Sequence, residues 1–438
     1  MDSQIPNLQT VTELSGKLLH EVYVDEVKPH LDHISPVAGL FRKLGDGGYT
    51  MVGQKLVIAA DTHFSGGGVA TDGHLPDSEY AEMIRLETTP ARMYIRRAVD
   101  DFVVARGQTP GAFENFFGRI QRQAVDAFDR MTTRHVHGGS DGTVCIVAEK
   151  ISSTKIRVKD GYGHPGTNPL MFIDLNTLCY ALDKSDSFKP LAAARVKSIN
   201  HPEKILEFHT SIEGSGTIAE GDVIVFGTRP LANYAALTSK HVHERGRAPL
   251  GLRDILDPDE KNASYLTVSE ADEPRINPLR MDSEDWGEVE FMDFIGQIED
   301  RSQSPVTPDT HVFSCQRAVF NALARTLIPY TQIQQKGREL EGGWETVRIA
   351  GHDFLIDSYH TPDELMAHCL EDYHVVDLDG EPSVYDKDGS PYQRLADFDG
   401  REWFMKHYCQ RFASRRNRSG VLRKINTGYS PDKFAAVP

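Results

Sequence analysis

FENFFGRIQRQAVDAFDRMTTRHVHGG, running from Phe113 to Gly139, is the stretch on which the reading of this chain turns. Phe113, Phe116, Phe117, Ile120, Ala124, Ala127, Phe128 and Met131 recur at the i, i+3, i+4, i+7 spacing of one helical face. Arg119, Arg122, Asp126, Asp129 and Arg130 fall mainly on the other side. Thr109 is suited to the N-cap, Pro110 to the first helical position and Gly138-Gly139 to the stop, so the spacing predicts a helix over 110–137. At 1.5 Å per residue it would run about 40 Å, long for a globular helix and buried along one side. Such a helix is a strut for whatever surrounds it.

Upstream, GQKLVIAA (Gly53 to Ala60) reads as a strand, followed by ADTHFSGGGVATDGHLPDSE, whose glycines, Asp-Gly pair and Pro form a long flexible tip. The chain returns as IRLETTPARMYIRRAVDDFVV, alternating in part and broken at Pro90 as an edge strand permits. An isolated two-stranded ribbon is marginally stable in water, so this projection must lie on something else, another subunit included. The residues before it, to about Leu44, read as one or two short helices on an extended arm.

Downstream, TVCIV, TKIRVK, LMFIDL, LAAARVKSI, KILEFH and DVIVF between Thr143 and Phe226 are short β-runs. Asp254 to Asp300 holds 15 Asp/Glu against Lys261, Arg275 and Arg280, and reads as a solvated acidic connection. From Thr310 a helix is expected, with Val312, Val319, Phe320, Leu323 and Leu327 on one face. TVRIA and DFLIDS flank Gly351-His352 as a tight hairpin. Thr361, Pro362 and Glu364 have capping-box spacing and favour a helical turn. Arg401 to Lys424 carries eight basic residues and one acidic, and Trp403, Phe404, Tyr408 and Phe412 have the i, i+4 spacing of a helix with an aromatic face. RRNR (Arg415 to Arg418) could alternatively meet phosphates, or acidic surfaces of neighbouring subunits, for which Asp254 to Asp300 is a suitable partner.

The chain has 438 residues, about three times the usual domain size, and a formal charge of -16, which argues against coating nucleic acid over the whole surface. No apolar run approaches a membrane span, and MDSQIPNLQT lacks the marks of a signal peptide, so a cytoplasmic location is expected. Cys145, Cys179, Cys315, Cys369 and Cys409 are odd in number and form no CxxC, which indicates neither a disulfide framework nor a zinc ribbon. Two His-x-His pairs, His135/His137 and His241/His243, have no evident third ligand, and the first closes a helix. SGGG at Ser65 to Gly68 lacks the Gly-Lys-Ser/Thr of a phosphate loop, and no GxSxG, HExxH or Rossmann fingerprint occurs. The case for catalysis is thin.

The order of parts resembles the major capsid proteins of tailed bacteriophages, which share the Hong Kong 97-like fold. The Phe113 to Gly139 stretch looks like the spine helix and its Gly turn. TIAEGDVIVF, PLGLRDILD, GGWETVRIAGHDFLIDSYHTPDELM and REWFMKHYCQRFASRRNRSGVLRKI look like further segments of the family, the last being its closing helix and strand. The resemblance covers most of the chain from Gly53 onward. It implies an α+β chain divided into an N-terminal arm (1–52), an E-loop (53–104), the spine helix of a peripheral domain (105–142), a β-rich section with acidic connection (143–304), an axial domain (305–390), and a C-terminal helix and strand (391–438). The length of 143–304 leaves room for an inserted domain. The capping-box spacing after Pro362 departs from the family, whose members often continue there as a strand.

The resemblance further implies a virion shell of pentamers and hexamers, assembled in the host cytoplasm and enclosing double-stranded DNA without sequence-specific binding. It implies no enzymatic activity, cofactor or metal. The expected partners are the chain itself, a separate scaffolding protein, a portal and, optionally, a decoration protein. The scaffold is expected to be separate because only some fifty residues precede the first predicted strand. Some members cross-link through an E-loop lysine, but no Lys lies between Lys55 and Lys150, so this loop cannot form that bond. Inter-subunit contact is instead expected from Phe64 at the tip, Arg85, Arg92, Arg96 and Arg97 on the returning strand, and Arg415 and Arg416 near the C-terminus. An encapsulin-type nanocompartment shell, on the same fold, is the nearest alternative. A zinc-dependent hydrolase built on the His-x-His pairs is a distant one.

Overall fold

The computed structural model describes residues 35–45, 48–61, 83–100, 110–160, 170, 172–186, 188–213, 216–227, 245–260, 262–327, 347–349, 351–378, 383–384, 393–394 and 400–427. The projection's tip with Phe64, the N-cap Thr109, His241 and His243 lie outside them. A 3-10 turn at Pro36–Leu40 buries Val37 and Leu40 and leads into β1 (Arg42–Lys43). β2 (Thr50–Val52), β3 (Lys55–Asp61) and β4 (Met83–Thr88) form a three-stranded antiparallel sheet in that order. Gly53 takes φ +65 in the β2–β3 turn, a conformation open to glycine. The return strand does not run on as one ribbon: it breaks at Thr89-Pro90, and β5 (Ala91–Asp100) joins a different sheet. α1 follows at Pro110–His137, the span its periodicity predicts.

Residues 143–226 form a closed six-stranded barrel. Its strands are β6 (Thr143–Lys150), β7 (Lys155–Asp160), β8 (Leu178–Asp183), β9 (Lys189–Asn200), β10 (Ile205–Phe208) and β11 (Val223–Phe226), arranged β10-β7-β6-β11-β8-β9. Closure leaves no edge among these strands to recruit another. Cys145, Val147, Ile156, Val158, Val196, Leu206 and Phe208 fill the barrel core. Two details differ from the sequence reading. No strand forms at Leu170 or over Phe172 to Leu175, where Leu170 and Ile173 pack in the barrel core, and the strand is LCYALD. Cys179 to Leu182 are all buried, so that strand shows no alternation to read.

α2 (Leu252–Leu256) docks on the C-terminal end of α1, where the Arg253 amide donates to the Gly138 carbonyl at 3.2 Å. That approach requires glycine at 251: a Cβ there would stand 2.2 Å from the carbonyl oxygens of both Gly138 and His135. β12 (Ser264–Tyr265) and β13 (Val268–Ser269) make a small hairpin before β14 (Leu279–Asp282) and α3 (Glu288–Ser302). The stretch 254–300 is therefore not a solvated connection. α3 buries Phe291, Phe294, Ile295 and Ile298 and turns Asp293 and Asp300 outward; acids on one face hid a core helix.

β15 (His311–Cys315) precedes α4 (Arg317–Leu327), so the helix expected from Thr310 begins seven residues later and a fully buried strand takes its start. β16 (Val347–Ile349) and β17 (His352–Ile356) form the predicted hairpin around Gly351, at φ +83. β18 (Leu365–Cys369) stands where a helical turn was expected. The Thr361 hydroxyl donates to the Glu364 carboxylate at 2.6 Å, a side-chain bond and not the backbone bonds of a capping box, and five consecutive buried residues then pair as strand between two neighbours. With β23 (Gly420–Arg423) these strands build a six-stranded mixed sheet ordered β14-β23-β18-β15-β17-β16. On one face α3 and α4 pack over Phe313, Phe354, Leu365 and Leu422. On the other, Val37, Leu40, Val136, Leu252 and Ile255 cover Val312, Leu355, Met366 and Val421. The end of α1 is thus built into the second face.

β19 (Tyr373–Asp377), β20 (Ser383–Val384) and β21 (Gln393–Arg394) flank β22 (Gly400–Ala413) in a second six-stranded sheet that also holds β1 and β5. β22 is a strand of 14 residues, which corrects the expected closing helix. Trp403, Met405, His407 and Cys409 are buried while Glu402, Phe404, Lys406 and Tyr408 are half-buried, a period of two. The aromatic i, i+4 spacing fits a strand equally well, since four is two strand periods. α1 lies across this sheet through Ala124, Val125 and Phe128 against Met93, Trp403 and Met405.

Candidate functional site

The residues expected to meet neighbours divide into an exposed group and a buried one. Arg92 and Arg96 lie on β5, both exposed, and Arg96 pairs with Glu402 on β22. On β4, Arg85 pairs with Glu87 at 2.8 Å, a carboxylate that also takes Lys55 at 2.6 Å. The hydrogen bond from Lys55 and the two charges hold Glu87 below the usual carboxylate range. Arg97 stands opposite Trp403 in the β5–β22 register. Alternation along one strand brings Arg92 and Arg96 to a common face, with Tyr94 between them bonded to Tyr408 through their hydroxyls at 2.6 Å.

Near the C-terminus the outcome differs. Arg415 is half-exposed and reaches Asp372 at 3.2 Å, but Arg416 is 1% exposed and held inside its own chain, a correction to its expected role as a contact to neighbours. Its guanidinium bonds Glu270 at 2.8 Å, donates to the Ile255 carbonyl and stacks over Tyr265 at 4.1 Å. Glu270 also receives Arg280 at 3.1 Å. Arg423 pairs with Asp282, Lys424 joins the same carboxylate at 2.6 Å, and buried Arg253 and Glu364 meet at 2.6 Å. Part of the acidic 254–300 stretch, which looked suited to a different subunit, thus meets the basic 401–424 stretch within one chain, Asp282 reaching Arg423 because β14 and β23 are parallel neighbours. Sequence reasoning missed Tyr265, whose hydroxyl donates to the Ala413 carbonyl at 3.2 Å and accepts its amide at 2.8 Å; no local pattern marks such a residue.

The first His-x-His pair does not converge. His135 is buried beside Arg134, and burial first, then the charges of Arg134 and Arg411, depress its pKa well below the ordinary value. His137 points elsewhere, bonding Asp357 at 3.0 Å, while Ser35 donates to the same carboxylate oxygen at 2.9 Å. Burial alone would raise Asp357, but the neighbouring His137 charge and hydrogen bond hold it far below the carboxylate range. This clasp ties the N-terminal turn, the end of α1 and the end of β17 together. Among the described residues one trio has the spacing of metal ligands: Asp377, His407 and Cys409. His407 and Cys409 share a face of β22, with Asp377 opposite Cys409. His407 bonds Asp377 at 2.9 Å, and Lys43 approaches that carboxylate at 3.9 Å. Burial would lower His407, yet the hydrogen bond to Asp377 and the closeness of Cys409 lift it to about 9. A histidine–carboxylate pair with Lys43 alongside accounts for the closeness of the trio.

No protein-family model and no curated protein matches this chain. Among solved structures, similarity over most of the chain is to phage capsids. A cyanophage A-1(L) capsid chain is 10% identical, covering 89% of this chain and 92% of its own, with a TM-score of 0.47. A chain of the satellite phage P4 procapsid, 8% identical, covers 92% and 99% at 0.38. An encapsulin from Synechococcus elongatus PCC 7942, 10% identical, covers 34% of this chain and 54% of its own at 0.26.

Proposed function

We propose that this chain is the major capsid protein of a tailed bacteriophage, built on the Hong Kong 97-like arrangement and assembling into the pentamers and hexamers of a shell around double-stranded DNA. One observation supports the reading best: β3 and β4 form an antiparallel pair whose base is fastened to the body. Leu56, Ile58 and Leu86 pack against Val376 and Phe412 at the base, while the pairing ends at Asp61 opposite Met83, with residues 62–82 still to come. The sequence between them reads as a long Gly-rich tip, which needs a surface to lie on, and a second copy supplies one.

The rest of the molecule suits a wall. A strut of 28 residues braces the β5–β22 sheet and ends against one face of the other sheet, and a charge of -16 lets packaged DNA slide instead of condensing on the protein. Structural capsid proteins act without catalysis, and the titratable groups described above serve packing. Scaffold and portal are the partners this role requires, and a decoration protein is compatible with it. Expression with the neighbouring genes followed by negative-stain electron microscopy tests the reading: closed polyhedral particles are expected, and protein that stays monomeric throughout would refute it. Nucleic acid inside purified particles separates a virion shell from an encapsulin-type compartment, whose cargo is protein.

A further inference from the structure

α3 and α4 lie side by side on one face of the six-stranded mixed sheet, and each keeps a face turned to solvent. Along α3 that face carries Asp293 and Asp300 with Val289, 66% exposed, and Met292, 49% exposed. Along α4 it carries Arg317, Asn321 and Arg325 at i, i+4, i+8, all exposed. No ion pair is described for these four charged residues. At 1.5 Å rise per residue the two aspartates stand about 10.5 Å apart and the two arginines about 12 Å, so the charges match in spacing as well as sign.

We propose that these faces are the two halves of a head-to-tail contact, α3 of one copy lying along α4 of the next. A two-fold contact through either face alone would bring like charges together, four aspartates for α3 or four arginines for α4. Joining α3 to α4 is the arrangement that opposes unlike charges, and it covers the exposed Val289 and Met292. Made in one direction the contact is heterologous and repeated copies close into a ring when the rotation allows, whereas a reciprocal two-fold pairing of α3 with α4 would stop at a dimer. The inference rests on the shell-forming reading and names the surfaces that build its rings. It replaces the pairing of the 254–300 and 401–424 stretches between subunits, because Glu270 and Asp282 of the first meet Arg416 and Arg423 of the second within one chain.

Three variants test it in the co-expression that gives shells from the wild type: Asp293→Lys with Asp300→Lys, Arg317→Glu with Arg325→Glu, and all four together. Each two-residue reversal turns two attractions per contact into repulsions and should lower particle yield about tenfold or more. The four-residue variant, which swaps the signs of both faces, should return to within about twofold of wild type. Wild-type yield from either reversal, or failure of the four-residue variant to recover, overturns the pairing. A second measurement does not depend on charge. Gly296→Cys with Asn321→Cys places a thiol at the midpoint of each stripe, Gly296 has open space around a Cβ, and the native cysteines are all buried. Oxidation should yield a ladder of covalent oligomers, and monomer alone overturns the contact. The wild type keeps the two claims apart. Absence of any wild-type shell counts against the shell reading, whereas shells that survive both reversals count against this contact alone.

Discussion

Replacing Arg416 by alanine separates a residue that builds the subunit from one that joins subunits. The side chain is 1% exposed and makes three kinds of contact. Its charge-assisted bond to Glu270 at 2.8 Å is worth about 1.5–3 kcal/mol, and its stacking on Tyr265 at 4.1 Å about 0.5–2 kcal/mol. Its bond to the Ile255 carbonyl, once lost, leaves a buried acceptor unpaired at about 1–3 kcal/mol. Against this, the guanidinium's desolvation is relieved, and Glu270 keeps Arg280 at 3.1 Å, so no orphan carboxylate remains. The net expectation is a loss of about 3 kcal/mol in the unassembled protein, read from urea unfolding followed by far-UV circular dichroism. Arg92→Ala, exposed on β5, is the control and should stay within about 0.5 kcal/mol of wild type. An Arg416→Ala subunit as stable as wild type but unable to assemble would refute the reasoning and return Arg416 to the subunit interface.

His407, lifted to about 9 in the fold against an ordinary value near 6.5, contributes stability that is complete below about pH 6.5 and disappears as pH rises through about 9. His407→Gln should therefore flatten the fall of the urea midpoint between pH 7 and 9.5, and parallel profiles for the two proteins would contradict the assignment. Gly251→Ala drives a methyl into two carbonyl oxygens at 2.2 Å and should cost more than about 3 kcal/mol, visible as loss of soluble protein; soluble, normally melting protein would mean that α2 can shift off the end of α1. Residues 143–226, closed on themselves around their own core, are expected to fold when expressed alone, with a cooperative melt and dispersed amide resonances. A collapsed spectrum would show that the barrel depends on the rest of the chain.

What could be read from the sequence was whatever repeats at a period of its own. α1 announced itself because its aromatic face, its Pro and its Gly pair agree, and the hairpin around Gly351 because glycine marks its turn. α3 was hidden because its charges outnumber its core residues, although Phe291, Phe294, Ile295 and Ile298 already have helical spacing. β22 was mistaken for a helix because aromatics four apart satisfy both periods. Buried strands such as β15 and β18 carry no alternation at all, as both faces are covered. Of the residues expected at the subunit surface, Arg92 and Arg96 are exposed and Arg416 is not. Nothing local to Arg416 shows that Glu270 lies 2.8 Å away, because the two are 146 residues apart in the chain and meet only in the tertiary fold.

The ladder between β5 and β22 runs without interruption from Ala91 opposite Cys409 to Asp100 opposite Gly400. Bonds in an antiparallel pair lie across the strands, so a pull directed along β5 loads the whole ladder in shear instead of peeling it open one bond at a time. Tension entering from β4 first meets the Thr89-Pro90 break, the point where the path would give. There Gln410 donates to the Thr88 hydroxyl at 3.0 Å and to the Thr89 carbonyl at 2.9 Å, riveting the break to β22 itself. Force arriving along β4 is thereby handed to β22, the longest strand among the described residues, and, through α1 lying across it, to the body as a whole.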